Sequence, residues 1–128
     1  MRRGGHADRA VKAISAFRAF GGLAIWIVPD LTVRTYGGTM DSGSRLLGRL
    51  AGARETALAV GPLLSDGEDR RRWLGLGLAC DAADATATLI GRGDDMSPMS
   101  AALCFTTYAV SAALTSAALR SVSRSVRR

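Results

Sequence analysis

Six ionisable side chains stand inside stretches that are otherwise apolar: Arg18, Arg49, Arg54, Glu55, Asp81 and Asp84. Three are cations and three are carboxylates, a balanced set that favours mutual pairing over six independent roles. Such groups can lock helices together, relay a proton, or hold an ion or polar substrate. Asp81 and Asp84 are three residues apart and share one face of a helix. Arg54 and Glu55 are adjacent, about 100° apart on a helix, and so address different neighbours. The expected pairs are Arg54 with Asp81 or Asp84, and Arg18 with Glu55 or the remaining aspartate. Asp81, Asp84 and Glu55 also carry the oxygen ligands that a hard divalent cation takes. The nearby arginines oppose a metal there, and the single histidine, His6, lies near the N-terminus. No metal site is expected. The chain has no phosphate-binding G-x-x-x-x-G-K, no nucleophile elbow and no H-E-x-x-H. No catalytic residue and no cofactor are therefore expected.

The elements that position these charges are four segments rich in apolar and small residues, at about 10–28, 46–64, 73–90 and 99–119. Each is about 18 to 21 residues, enough for a helix to cross ~30 Å of hydrocarbon. Between them, 29–45 has loop composition with Pro29, Gly37, Gly38 and Gly43, and 65–72 reads SDGEDRRR. In 91–98, GRGDDMSP, Ser97 is placed as an N-cap and Pro98 as the first helical residue. Period-two alternation is absent. The predicted fold is all-α: a four-transmembrane-helix bundle with basic, frayed tails at 1–9 and 120–128. A soluble four-helix bundle would need a polar outer face on every helix. The fourth segment instead has no charge over its whole length, and the third has only Asp81 and Asp84. A cleaved signal peptide is disfavoured, because Arg18 interrupts the first segment and no small-x-small site follows it.

The chain has 128 residues, with 17 basic against 11 acidic, a formal charge of +6. Such a balance first suggests nucleic acid. Position argues otherwise. Arg2, Arg3, Arg9, Lys12, Arg70, Arg71, Arg72, Arg120, Arg124, Arg127 and Arg128 fall on one side of a four-span topology. Arg34, Arg45 and Arg92 fall on the other. The bias places both termini in the cytoplasm. The tail 120–128 has no interleaved aromatic, so it suits anionic lipid headgroups and not nucleic acid. Trp26 and Trp73 fall near segment ends, as an interfacial belt requires.

Small residues recur at packing spacing: Gly48 and Gly52, the run Gly75, Ala79, Ala83 and Ala87, and the run Ala109, Ala113 and Ala117. They let helix backbones approach, within the chain first and between copies second. Cys80 and Cys104 differ in depth by about 9 Å, too far for a disulfide. Thr106, Thr107, Tyr108, Ser111, Thr115 and Ser116 give the fourth segment a polar stripe suited to internal hydrogen bonds.

The stretches RLLGRLAGARETALAVG (45–61) and WLGLGLACDAAD (73–84) resemble small four-span bacterial membrane proteins of unknown function, common in actinobacteria. There an Arg-Glu or Arg-Asp pair in the second span recurs with an Asp-x-x-Asp in the third. Arg54-Glu55 and Asp81/Asp84 fill those positions. The architecture is also similar to DoxX-like four-span proteins, some associated with redox or quinone-linked complexes, although no cofactor residue matches. The resemblance implies a multi-pass protein of the cell membrane and supplies no chemical activity. The expected function is a non-enzymatic structural or accessory subunit, in a homodimer or a larger membrane complex. The alternative is a small transporter or proton-coupled carrier that uses the intramembrane charges.

Overall fold

The computed structural model describes residues 4–39, 41–91 and 96–126. Those residues form five helices: α1 (Gly4–Ile27), α2 (Pro29–Thr35), α3 (Ser42–Leu64), α4 (Gly67–Gly91) and α5 (Pro98–Val126). No strand occurs among the described residues, so the all-α expectation stands. The four long helices make a ring. α1 packs most extensively on α3, and α4 on α5; α1 with α5 and α3 with α4 close the bundle through smaller contacts.

Local chemistry sets the helix starts. Asp41 caps α3: its carboxylate accepts from the Ser44 N–H at 2.7 Å, while the Ser44 hydroxyl accepts from the Asp41 N–H at 3.0 Å. Two of the helix's orphan donors are thereby satisfied. Ser97 caps α5 by accepting from the Ser100 N–H at 3.1 Å, with Pro98 as the first helical residue. Both roles agree with the sequence. Segment 29–45 departs from it. The expected loop contains a seven-residue helix, α2, with Pro29 in its first turn, Asp30 near its N-terminus and Arg34 in its last turn. Each suits its end of the helix dipole.

The tails also depart from expectation. α1 begins at Gly4, and α5 runs on to Val126. Ala7, Val11 and Ile14 of α1 are buried with Leu74 of α4 and Ala118 and Val122 of α5. That apolar layer draws the start of α1 and the end of α5 into the bundle, so 4–9 and 120–126 are helical where fraying was expected. Arg2, Arg3, Arg92, Arg127 and Arg128 of the charge count lie outside the described residues.

Successive turns of α1 pass through four layers. The apolar layer comes first. Arg18 follows, 3% exposed. Next comes Gly22, which meets Gly52 of α3 so closely that a Cβ on Gly52 would stand 2.5 Å from the Gly22 carbonyl oxygen. Last, the end of α1 faces α2 and the start of α3. The Gly48-x-x-x-Gly52 pair thus serves packing within the chain, with Gly48 against Ile25, Pro29 and Val33.

The outside of the bundle is apolar. Phe20 is 80% exposed, Leu64 82% and Met99 79%. Soluble proteins seldom present so continuous a coat, whereas a bilayer rewards it. Three helices are long and apolar enough to cross a membrane: α1 over Ala7–Ile27, α4 over Gly67–Gly91 and α5 over Pro98–Arg124. α3 is equally long but falls short on composition, because Arg45, Arg49, Arg54 and Glu55 crowd into it. Read from its charges, the second span should insert poorly alone and rely on its partners, and α3 accords with that: among the described residues three helices qualify as spans, and α3 is held among them.

Candidate functional site

Five of the six charges meet in the middle of the bundle. Arg18 projects from α1 into the space between α3 and α4. One guanidinium nitrogen donates to the Glu55 carboxylate at 2.5 Å. Another donates to Asp81 at 2.6 Å and to the Gly77 carbonyl at 3.0 Å. Gly77 permits that approach, since a Cβ there would lie 3.1 Å from the guanidinium. Arg54 extends the chain. It binds Asp84 through two nitrogens, at 2.5 and 3.2 Å, and reaches Glu55 at 3.2 Å. The order is Asp81–Arg18–Glu55–Arg54–Asp84, a single line of ion pairs across three helices.

Arg54 binds Asp84, and Arg18 takes both Glu55 and the remaining aspartate. Adjacent Arg54 and Glu55 address different neighbours as expected, Asp84 of α4 and Arg18 of α1, and they also touch each other, so that Glu55 receives both arginines, one on each oxygen. The long Arg54 side chain spans the angle that separates the two positions on the helix. Asp81 and Asp84 share a face, as their spacing requires, but each is claimed by a different guanidinium.

Burial is graded along the line. The side chains of Arg18 and Asp81 are 2% and 3% exposed, those of Glu55 and Asp84 17% and 19%, and that of Arg54 40%. The site is therefore closed at Arg18 and open where α3 meets α4. On the closed side, the hydroxyls of Ser15 and Ser111 are buried and make no hydrogen bond among the described residues. Lower on α5, Thr115 satisfies itself on the Ser111 carbonyl at 2.8 Å. The polar stripe of the fourth segment is thus partly turned inward, and Thr107 meets the Tyr36 hydroxyl at 3.1 Å.

Arg49 does not join the line. It is exposed near the start of α3, among residues that close the far end of the bundle, and it pairs with no carboxylate among the described residues. Without it the cluster has two guanidiniums and three carboxylates, so the balance inferred from six residues becomes one excess negative charge.

Sequence reasoning also missed Arg70. It donates to the carbonyls of Pro62 at 3.0 Å and Ser65 at 2.7 Å, and pairs with Asp8 and Asp66. It closes the C-terminus of α3 and ties that turn to α1, where it was read only as a topology charge. The signal was available: a basic residue just beyond a helix end is placed to serve the orphan carbonyls.

Among the described residues, no group of three or more His, Cys, Asp or Glu is arranged to hold a metal ion. Cys80 and Cys104 are unbonded and half-buried. No family model, curated protein or solved structure matches the chain.

Proposed function

We propose that the protein is a four-span membrane bundle with both termini cytoplasmic, acting as a non-enzymatic structural or accessory subunit of a larger membrane assembly. The observation that carries this is Arg18, which binds α3 and α4 from α1 with almost no exposure. A guanidinium held by two carboxylates and a carbonyl has one geometry, and it sets the register of three helices at once. An isolated Arg or Asp at mid-membrane costs about 2.5–3.5 kcal/mol on insertion scales. Pairing relieves that cost only when the helices are assembled, which gives α3 a reason to depend on its neighbours.

The test is a purification in mild detergent from the native membrane. A stoichiometric protein partner that copurifies with the wild type supports the subunit role, and a protein recovered only by itself speaks against it. Recovery of the protein from aqueous buffer without detergent would sink the membrane reading.

One observation favours a second function. The carboxylate excess and the opening at Glu55, Arg54 and Asp84 are what a proton-coupled carrier requires. Proton flux in liposomes that disappears in Glu55→Gln or Asp84→Asn would decide for it.

A further inference from the structure

We propose that the groove at the end of the bundle remote from the termini binds the phosphate of an anionic phospholipid, with Arg49 as the cation that holds it. The groove has a volume of about 470 Å³ and is open to the outside. That size is in the range of small-molecule sites. The end of α1, the first turn of α2 and the first turns of α3 enclose it. Arg45 and Arg49 are four residues apart and face it together. Their states differ. Arg45 is committed to Asp30 through a two-pronged pair, both bonds 3.1 Å. Arg49 has no carboxylate among the described residues, so the groove holds one uncompensated positive charge.

The opposite wall is apolar and uncovered. Ile27 is 68% exposed, Val28 44% and Leu31 66%. A cation beside bare hydrocarbon matches a ligand that is itself divided into anion and acyl chain. A free phosphate would use Arg49 and leave Ile27, Val28 and Leu31 in contact with nothing. In the four-span arrangement, on which this proposal rests, the ends of α1 and α3 lie where headgroup gives way to hydrocarbon in the leaflet opposite the termini. Phosphate and acyl chain are presented there at the depths of Arg49 and of the apolar wall. The site is separate from the basic tails and from the central charges.

The experiment uses the full-length protein in detergent. It is titrated with phosphatidylglycerol, phosphatidylcholine or inorganic phosphate, and bound lipid is counted by native mass spectrometry. Phosphatidylglycerol is expected to bind in preference to phosphatidylcholine, and millimolar inorganic phosphate is expected not to displace it. Arg49→Gln should weaken phosphatidylglycerol roughly tenfold, the loss of one charge-assisted contact, and weaken phosphatidylcholine, whose choline already neutralises its phosphate, by clearly less. Asp30→Asn should strengthen it, because Arg45 is then released into the groove. The proposal is overturned if Arg49→Gln keeps the preference, if Asp30→Asn gives no gain, if the two lipids bind alike, or if inorganic phosphate competes as well as the lipid. A detergent-dependent protein with any of those results loses the lipid site and keeps the membrane reading; a protein that needs no detergent loses both.

Discussion

At Arg18, one cation serves two carboxylates, and Asp81 has no other partner cation among the described residues. Its removal leaves Asp81 buried without a countercharge and Glu55 with Arg54 alone, and breaking a buried pair in this way costs about 3–5 kcal/mol. Arg18→Met is therefore expected to abolish most of the folded yield, measured as the monodisperse fraction in detergent. Arg18→Lys should fail nearly as badly. A lysine keeps the charge but lacks the planar fork that serves Glu55, Asp81 and the Gly77 carbonyl together. Arg54 sits at the open end, 40% exposed, and its replacement should be milder. The exchange Arg54→Asp with Asp84→Arg is expected to recover part of what either change loses, read as thermal stability in a double-mutant cycle. Recovery will be incomplete, because the new aspartate stands beside Glu55. Simple additivity of the two losses would mean that the Arg54–Asp84 contact does not couple the helices. These residues were legible in the sequence because charge in an apolar run is costly and must find a partner. Arg49 was not, since a charge near a helix end has water and headgroups within reach and need not pair.

Some glycines admit a close approach between helices, and others leave open space. A methyl on Gly52 would stand 2.5 Å from the Gly22 carbonyl oxygen and 3.1 Å from the Trp26 Cβ, both fixed by α1. Gly52→Ala should cost about 1–3 kcal/mol of thermal stability in detergent, as overpacking does. Gly75 has nothing within 4 Å, so Gly75→Ala should gain about 0.5–1 kcal/mol from helix propensity alone. If the two variants shift the melting temperature alike, the α1–α3 crossing is not as close as described. The start of α3 brings a pH dependence. Hydrogen bonds from the Ser44 N–H, and then from its hydroxyl, hold the Asp41 carboxyl below its ordinary value of 3.8. A lowered carboxylate pKa gives stability that is complete above the unfolded value and is lost as pH falls through the folded one. Protection of the Ser44 amide, relative to its intrinsic exchange rate, should therefore fall as pH drops below about 3.8, should persist through that range in Asp41→Asn, whose amide oxygen still caps, and should be weak at all pH in Asp41→Ala. The long helices were legible because their apolar length is unmistakable, and Ser97-Pro98 because a cap has a local cause. α2 was hidden. Pro29 and the glycines and serines of 37–44 give 29–45 the look of a loop, and the seven residues that fold depend on packing against α1 and α3 that no local pattern records.

Over the whole molecule, charge is carried inside beside an apolar layer, while many large apolar side chains lie outside. Ion pairs lie at the centre, and phenylalanine, leucine and methionine face outward. The exterior matches hydrocarbon on α1, α4 and α5, but α3 carries Arg45, Arg49, Arg54 and Glu55. Arg54 and Glu55, near its centre, would alone cost several kcal/mol to insert, against about 0.3–0.6 gained per leucine or valine. α3 crosses only if α1 brings Arg18 to Glu55 and α4 brings Asp84 to Arg54. The proposed topology therefore makes a prediction about order of assembly. In a reporter assay with a marker fused after residue 66, the chain 1–66 is expected to translocate α3 poorly, since Arg54 lacks Asp84 and Arg18 lacks Asp81. Carrying the chain through α4 and α5 should restore the crossing and place the C-terminal marker on the side of the N-terminus. Asp84→Ala in the longer chain should return α3 toward the poor state without altering α1. Efficient insertion of the 1–66 chain would show that α3 needs no partner, and the central ion pairs would then have to be retained for another purpose, of which a proton path is the one the carboxylate excess favours.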